Sequence, residues 1–372
     1  MTVDMTRVLV AGGGVAGLEA VLALQALAGD RVHIELLAPE RHFTYRPLAV
    51  AEPFATGTVQ RFPLAAIGAE RGVRVHRDAL ARVRADERVV ETQGAESLGY
   101  DSLILALGAW AVEAVPGTLT FRGPQDAGRV GAIVDALRDG SVRRVAFVVP
   151  ADATWTLPLY ELALQTASAV RAAAPAAELT IVTPEPHPLA GFGEAAADEV
   201  ATLLERRGVM LITGAPVDEV SGGRLRMAAG GSFRIDHAIA LPRLVGPRPR
   251  GVPCDPLGFV VVDEYTRVPG VEGVFAVGDV AAQAVKQGGL AAQQADVAAT
   301  MIAAQVGVAV TPTPYRSVLR GLMLAGGGVA RFLRHDTEPT DDPLWWPATK
   351  IVGRHLAPYL ASHLGLAATA GR

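Results

Sequence analysis

The stretch Val8-Leu9-Val10-Ala11-Gly12-Gly13-Gly14-Val15-Ala16-Gly17-Leu18-Glu19-Ala20 decides the fold of this chain. Its apolar start predicts a buried parallel strand, and the alanine- and leucine-rich sequence after the glycines predicts a helix. Gly12, Gly14 and Gly17 fit the pattern G-x-G-x-x-G, which provides a tight turn, a bare backbone for a pyrophosphate and close packing of helix on strand. Because a second apolar strand follows at Val32–Leu37, we expect a dinucleotide site rather than a structural turn.

Composition restricts the class of protein. The chain has 372 residues, of which 50% are hydrophobic and 19% charged, and this balance indicates two or three globular domains. A net charge of −4 argues against nucleic acid as a partner. Cys254 is the single cysteine, which excludes an intrachain disulfide and a cysteine-rich metal site, and the scattered histidines predict no metal site of their own.

The sequence also bears on secretion and on insertion in a membrane. The first strand begins at Val8, which leaves no room for a signal peptide, and no charge-free apolar run has the length of roughly 18–20 residues that a membrane span needs. We therefore expect a cytoplasmic protein, with peripheral contact at the inner face of the membrane as an alternative.

A dinucleotide fold needs a carboxylate about 20 residues beyond its glycines to accept hydrogen bonds from a ribose. The usual position at the end of the second strand holds Ala38. Glu40 is the best candidate, and Glu35, inside the strand, is the second.

The middle of the chain predicts a second parallel sheet. Apolar strands at 144–149, 179–182 and 209–212 alternate with helical stretches at 157–173 and about 194–207. Such alternation indicates an α/β fold. Further on, Val274–Asp279 precedes an Ala/Gln-rich helix from about 290 to 305, and two apolar runs separated by Gly326-Gly327-Gly328 predict a hairpin.

Three motifs stand in a fixed order along the chain: the glycine loop at 12–17, the strand Tyr100–Gly108 and the run Gly273-Val274-Phe275-Ala276-Val277-Gly278-Asp279. In order and spacing they resemble the flavoproteins with two dinucleotide-binding domains, specifically type II NADH dehydrogenases and sulfide:quinone oxidoreductases, over roughly residues 7–310. The resemblance implies two Rossmann-like domains, the second inserted in the first. It implies an FAD-binding domain at 1–112 and 253–310, a second Rossmann-like domain at 113–252 and a C-terminal interface or membrane-facing unit at 311–372.

The same resemblance assigns the cofactor and its contacts. It places the FAD pyrophosphate on the glycine loop, the Asp279 carboxylate on the ribityl hydroxyls and the start of the 290–305 helix at the flavin pyrimidine edge. Lys286, the candidate catalytic residue, either adds a charge at that edge or is solvated. The family's strand commonly ends Ala-Thr-Gly, and here Leu107 replaces the threonine. The implied FAD-binding residues are Gly12, Gly14, Val15, Ala16, Gly17, Glu40, Ala106, Gly108, Gly278, Asp279 and Leu290.

One departure from the family concerns the second nucleotide site. Between Gly140 and Gly191 the chain has no glycine, and Pro150 to Pro158 with Trp155 stand where a pyrophosphate must meet bare backbone. Glu161 matches the family's helix glutamate, so we expect the second domain to keep its fold and to have lost its nucleotide loop. The cysteine pair with which sulfide:quinone oxidoreductases resolve sulfide is absent too, because Cys254 is alone.

Three functions are compatible with this pattern. The first is an FAD-dependent oxidoreductase that passes electrons from an unidentified small-molecule donor to a quinone or similar acceptor. The second is a divergent type II NADH dehydrogenase, and the third is a flavin-binding sensor or interaction protein without turnover.

The C-terminal stretch is rich in aromatic and apolar residues. Trp345-Trp346 precede Thr349 to Leu364, in which the apolar side chains fall on one helical face. This face predicts docking on the protein's own domain or on a homodimer partner, or else a helix lying on a membrane surface. Pro358 is expected to kink or interrupt the helix.

Overall fold

A computed structural model describes residues 5–335, 350 and 353–364. The helices of these residues are α1 (Val15–Ala28), α2 (Leu64–Arg71), α3 (Ala127–Asp139), α4 (Leu157–Val170), α5 (Glu194–Arg206), α6 (Gly288–Gln305) and α7 (Leu356–His363). The strands are β1 (Thr6–Ala11), β2 (Val32–Leu37), β3 (His42–Tyr45), β4 (Gln60–Pro63), β5 (Arg74–His76), β6 (Leu80–Arg84), β7 (Val89–Thr92), β8 (Ser97–Gly99), β9 (Ser102–Leu105), β10 (Trp110–Val112), β11 (Leu119–Thr120), β12 (Arg144–Val148), β13 (Glu178–Val182), β14 (Val209–Ile212), β15 (Val217–Ser221), β16 (Arg224–Met227), β17 (Ser232–Arg234), β18 (His237–Ala240), β19 (Arg243–Val245), β20 (Val274–Ala276), β21 (Arg320–Leu324) and β22 (Ala330–Arg334).

The first sheet is parallel, in the order β20-β9-β1-β2-β5. Its central strands are apolar and buried on both faces, as expected for a parallel sheet covered on two sides. Helices α1 and α6 pack together on one face, so the glycine turn after β1 and the Gly278-Asp279 turn after β20 lie at the same edge. The predicted strand–turn–helix arrangement is confirmed.

A second parallel sheet, in the order β11-β18-β12-β13-β14, has its own core with α3, α4 and α5. This confirms the predicted α/β fold with two Rossmann-like sheets. The chain passes between the two sheets twice, and the two passages pair as the antiparallel strands β10 and β19. The exact domain boundaries given above stay predictions.

The C-terminal residues pack against both sheets. The predicted hairpin forms from β21 and β22, and its Met323 and Leu333 are buried in the core of the second sheet. Helix α7 packs on α1, with Leu356, Tyr359 and Leu360 in the core of the first sheet.

One prediction for this segment needs correction, and another is confirmed. The described helix begins at Leu356, and Pro358 lies in its first turn, where a missing N–H removes no helical hydrogen bond; the proline therefore neither kinks nor interrupts it. Among the described residues, the apolar side chains of α7 face the protein's own core, which confirms the predicted docking on the protein's own domain. Trp345, Trp346 and Ile351-Val352 lie outside the described residues. Within the described part of the chain, no helix has the length and hydropathy to cross a membrane.

Candidate flavin site

The glycine loop has the geometry that its three glycines predict. A Cβ on Gly12 would lie 2.1 Å from the Ala106 carbonyl oxygen, and one on Gly17 would lie 1.8 Å from the Gly12 carbonyl oxygen, so neither position accepts a side chain. A Cβ on Gly14 would meet no atom within 4 Å. Gly14 therefore presents bare backbone to open space at the start of α1, where a pyrophosphate fits.

Gly278 joins the second motif to this loop. A Cβ on Gly278 would lie 3.0 Å from the Ala16 Cβ, and its N–H donates to the Gln294 Oε1 at 2.6 Å. The neighbouring Asp279 does not cap a helix, because no cap hydrogen bond from its side chain forms. Among the described residues its carboxylate has no hydrogen-bond donor, and burial raises its pKa, against the opposing charges of Lys286 and Arg46.

Lys286 is only 5% exposed, so the interpretation that it is solvated is wrong. Its ammonium donates to the Ala281 carbonyl and lies 3.9 Å from the centroid of the Phe259 ring. Burial lowers the pKa of Lys286 to about 8, although the carboxylates of Asp279 and Asp255 act in the opposite direction. Lys286 and Asp279 thus each favour the charged form of the other, and burial opposes the charge on both.

The glutamines at the start of α6 have structural hydrogen bonds. Gln287 caps the helix by accepting from the Leu290 N–H at 2.9 Å, which leaves Leu290 buried in the first turn. Gln293 both donates to and accepts from the backbone of Val318, at 2.9 and 3.0 Å. Gln294 is hydrogen-bonded to Gly278, so all three side-chain amides have partners within the protein. They are not merely polar positions on a helix face.

At the equivalent turn of the second sheet, side chains of the protein surround the carboxylate that follows β13. Glu185, after β13, accepts hydrogen bonds from Thr156, Tyr160 and Thr183 at 3.0, 2.7 and 3.0 Å. The Trp155 ring packs on Phe192 with centroids 5.8 Å apart. In a nucleotide site, a carboxylate at this position accepts hydrogen bonds from the ribose. Here the Glu185 carboxylate accepts them from hydroxyl groups of the protein instead.

The turn between β12 and α4 of the second sheet also contacts the candidate flavin site. The Lys286 N–H donates to the Thr154 carbonyl at 3.3 Å, which brings the second sheet's turn beside the residues around Asp279. Glu161, one turn into α4, is fully buried and holds C-terminal groups: the Lys350 ammonium at 2.5 Å and the Leu324 N–H at 2.7 Å. It is not available to a ligand.

Sequence comparison decides the family. The family model for pyridine nucleotide-disulphide oxidoreductases matches residues 6–301. The chain belongs to this family. Two NADH dehydrogenase-like proteins of Mycobacterium tuberculosis, from two strains, are each 30% identical to it over 75% of this chain and 73% of their own length. The protein is therefore an FAD-dependent oxidoreductase, as the three motifs implied.

Solved structures share the fold. The sulfide:quinone oxidoreductase of the hyperthermophilic bacterium Aquifex aeolicus superposes with a TM-score of 0.78 at 20% identity, over 86% of this chain and 82% of that chain. A ferredoxin reductase from Rhodopseudomonas palustris superposes with a TM-score of 0.64 at 17% identity, over 85% and 79%. At such identities the likeness concerns the fold alone.

The residues fit FAD. Gly14, with open space beside it, would turn its backbone to the pyrophosphate at the start of α1 together with Val15 and Ala16, and Asp279, whose carboxylate has no hydrogen-bond donor among the described residues, would accept from hydroxyl groups. Gly108 has φ +69° and open space around it. As for the ribose, Glu40 is exposed after β2, whereas Glu35 is paired with His76 at 3.1 Å and with His33 at 3.5 Å. Glu40 therefore stays the candidate.

Cys254 has no sign of nucleophilic chemistry. It is half-buried, its thiol donates to the Val252 carbonyl, and burial raises its pKa, so less thiolate forms than in an ordinary cysteine.

Sequence reasoning missed a cluster that folding assembles: Glu19, Asp296 and His355 offer ligand atoms within 4.8 Å of one another. The only sequence signal is a carboxylate in an otherwise apolar helix at Glu19. Both Glu19 oxygens already accept backbone N–H groups, from His355 and Leu356, and this favours a structural role over a metal site.

Proposed function

We propose that the protein passes electrons from a small donor other than NAD(P)H, through FAD, to a quinone or similar small acceptor. The observation that carries this proposal is the second turn, where Glu185 is engaged by three hydroxyl groups and Trp155 fills space. Without bare backbone and without a free carboxylate, this turn offers a nicotinamide dinucleotide neither of its two usual anchors.

The residues of the first site have distinct tasks in this proposal. The flavin, when bound, supplies the two-electron chemistry, and the protein sets its position and its electrostatics. Asp279 and the glycine loop hold the cofactor. Lys286, with a pKa of about 8, is mostly protonated at neutral pH, so it supplies a positive charge and a proton from a buried position.

The start of α6 points its free N–H groups toward the same region, and this favours an anionic reduced cofactor. Because Gln293 and Gln294 are engaged with Val318 and Gly278, an acceptor would have to use other groups. The backbone of Gly288 and Gly289 and the Lys286 ammonium are the nearest candidates along the chain.

A divergent type II NADH dehydrogenase is the second candidate, and the printed names of the two mycobacterial relatives favour it. A flavin-binding sensor without turnover is the third. Contact with a membrane and a homodimer stay predictions; of the surfaces proposed for them, the described face of α7 is already buried in this chain.

The deciding experiment is an anaerobic screen of donors against the purified FAD-loaded protein. Reduction is followed by loss of the oxidised-flavin band near about 450 nm, and reoxidation by addition of a water-soluble quinone. Candidate donors include sulfide, thiols, NADH and NADPH. Rapid reduction by micromolar NADH would replace the proposal with the NADH dehydrogenase, and a flavin that no donor reduces, or that no quinone reoxidises, would favour the sensor.

A further inference from the structure

A groove of about 550 Å³ lies between the second half of α1, the end of α2 and helix α7. Leu22 and Ala26 of α1 contribute apolar surface to it. At a rise of 1.5 Å per residue, Leu22 is about 12 Å along α1 from Gly14, so this groove is separate from the flavin site. Its volume lies in the range of small-molecule sites, roughly 300–1,000 Å³.

The first of two guanidiniums that line the groove belongs to Arg71, at the end of α2. Its Nε is inaccessible to solvent and has no hydrogen-bond partner among the described residues. The rest of this guanidinium stacks over the Tyr359 ring, 4.5 Å from its centroid, and one Nη lies 3.6 Å from Glu70. The Arg71 side chain as a whole is 35% exposed, so part of it remains accessible to a ligand that enters the groove.

A second guanidinium lines the same groove. Arg354 is exposed, and no carboxylate of the described residues lies within ion-pair distance of it. Both acids near the two arginines have other partners as well: Glu70 accepts from the Tyr359 hydroxyl at 2.8 Å and contacts His363 at 3.0 Å, and Asp296, whose pKa Arg354 lowers, lies beside Glu19. The groove is therefore cationic on one side and apolar on the other.

We propose that this groove binds an organic phosphate, whose phosphate lies between Arg71 and Arg354 and whose apolar part covers Leu22 and Ala26. The planar guanidinium fork matches phosphate oxygens in pairs, and two such forks line the groove. The same chemistry is found in a soluble phosphate ester and in the headgroup of an anionic phospholipid.

The test uses the full-length FAD-loaded protein and phenyl phosphate as the probe, by isothermal titration calorimetry. We expect saturable binding, and a loss of at least about tenfold in affinity for Arg71→Gln and for Arg354→Gln, since each change removes a charge-assisted contact. Arg171→Gln is the matched control, because Arg171 is an exposed arginine at the end of α4, away from the groove. Each variant is first checked for retained flavin, and Arg354→Gln alone decides if Arg71→Gln does not fold.

A second arm separates the two sources of phosphate. Co-sedimentation with phosphatidylglycerol vesicles is compared with phosphatidylcholine vesicles for the same four proteins. The proposal is supported if binding of either probe falls in both groove variants and not in Arg171→Gln. The probe that binds then identifies the source of the phosphate. Binding that falls equally in all three variants, or no binding to either probe, overturns it.

Discussion

The pair Glu19 and Asp296 makes the stability of this protein depend on pH in a direction opposite to that of most carboxylates. Glu19 is completely buried in α1, and Asp296 faces it from α6. Burial, followed by the Glu19 charge and a hydrogen bond to Glu19, raises the pKa of Asp296 to about 8. The buried Asp296 Oδ1 accepts no hydrogen bond from the described residues, so no other donor competes with a proton shared between the two carboxyl groups.

The sign follows from proton binding. With the pKa of Asp296 at about 8 in the folded state and 3.8 as its ordinary value, the folded protein holds a proton that the unfolded chain has released. Stability is therefore complete at acidic pH and is lost as the pH rises from about 4 through about 8. About four pKa units at about 1.4 kcal/mol each give a ceiling of about 6 kcal/mol, and the 23% exposure of the Asp296 side chain reduces this to a few kcal/mol.

Other charges near the pair do not reverse this sign. Arg354 lowers the pKa of Asp296, and that effect is already contained in the value of about 8. The His355 Nε2 lies 4.0 Å from Asp296 Oδ1, but burial lowers the pKa of His355, so a neutral imidazole faces the pair above neutral pH.

The assay is urea unfolding of the FAD-loaded protein at several values from about pH 5 to about pH 9. Asp296→Asn retains a hydrogen-bond donor toward Glu19 and cannot titrate, so its unfolding midpoint should change less with pH than that of the wild type. Asp198→Asn, an exposed carboxylate on α5, is the control. If wild type and Asp296→Asn have parallel pH profiles above neutral pH, the shared proton does not exist.

Three further predictions concern the cofactor, the donor and the C-terminal segment. Asp279→Ala should weaken FAD binding by tens-fold or more, since each charge-assisted hydrogen bond contributes about 1.5–3 kcal/mol; the flavin retained on gel filtration measures this. NADH and NADPH should give no saturable flavin reduction at millimolar concentration in stopped-flow traces, because the second turn is filled. Lys350→Met should lower the free energy of unfolding by about 3–5 kcal/mol, because it leaves Glu161 buried without its cation, and adding Glu161→Leu should restore most of the loss.

The sequence was sufficient where local backbone geometry decides the outcome. The turn that contains Gly12, Gly14 and Gly17 has no room for a side chain at two of these three positions. The glycine spacing by itself therefore predicts the turn. The two parallel sheets follow from apolar runs of strand length between helices, a signal that does not depend on distant contacts.

The sequence was insufficient where the partner of a side chain lies far along the chain. Nothing near Gln293 indicates that the backbone of Val318 will meet it, and the separation of Glu161 from Lys350 is longer still. The apolar pattern around Leu356 and Leu360 predicts a buried face but cannot say what buries it. In the structure α1 does so.

Both dinucleotide-type domains present a buried glutamate at the same place, and this determines how the C-terminal segment can be studied. Glu19 is the fifth residue of α1, which follows the glycine turn of the first sheet. Glu161 is the fifth residue of α4, which follows the equivalent turn of the second sheet. The first accepts N–H groups of the C-terminal segment, and the second pairs with Lys350. A chain shortened before Lys350 would leave both carboxylates buried without these partners, at a cost of several kcal/mol. Loss of membrane binding in such a chain would report misfolding as readily as a missing surface, so single substitutions on the exposed side of α7 are the sound test.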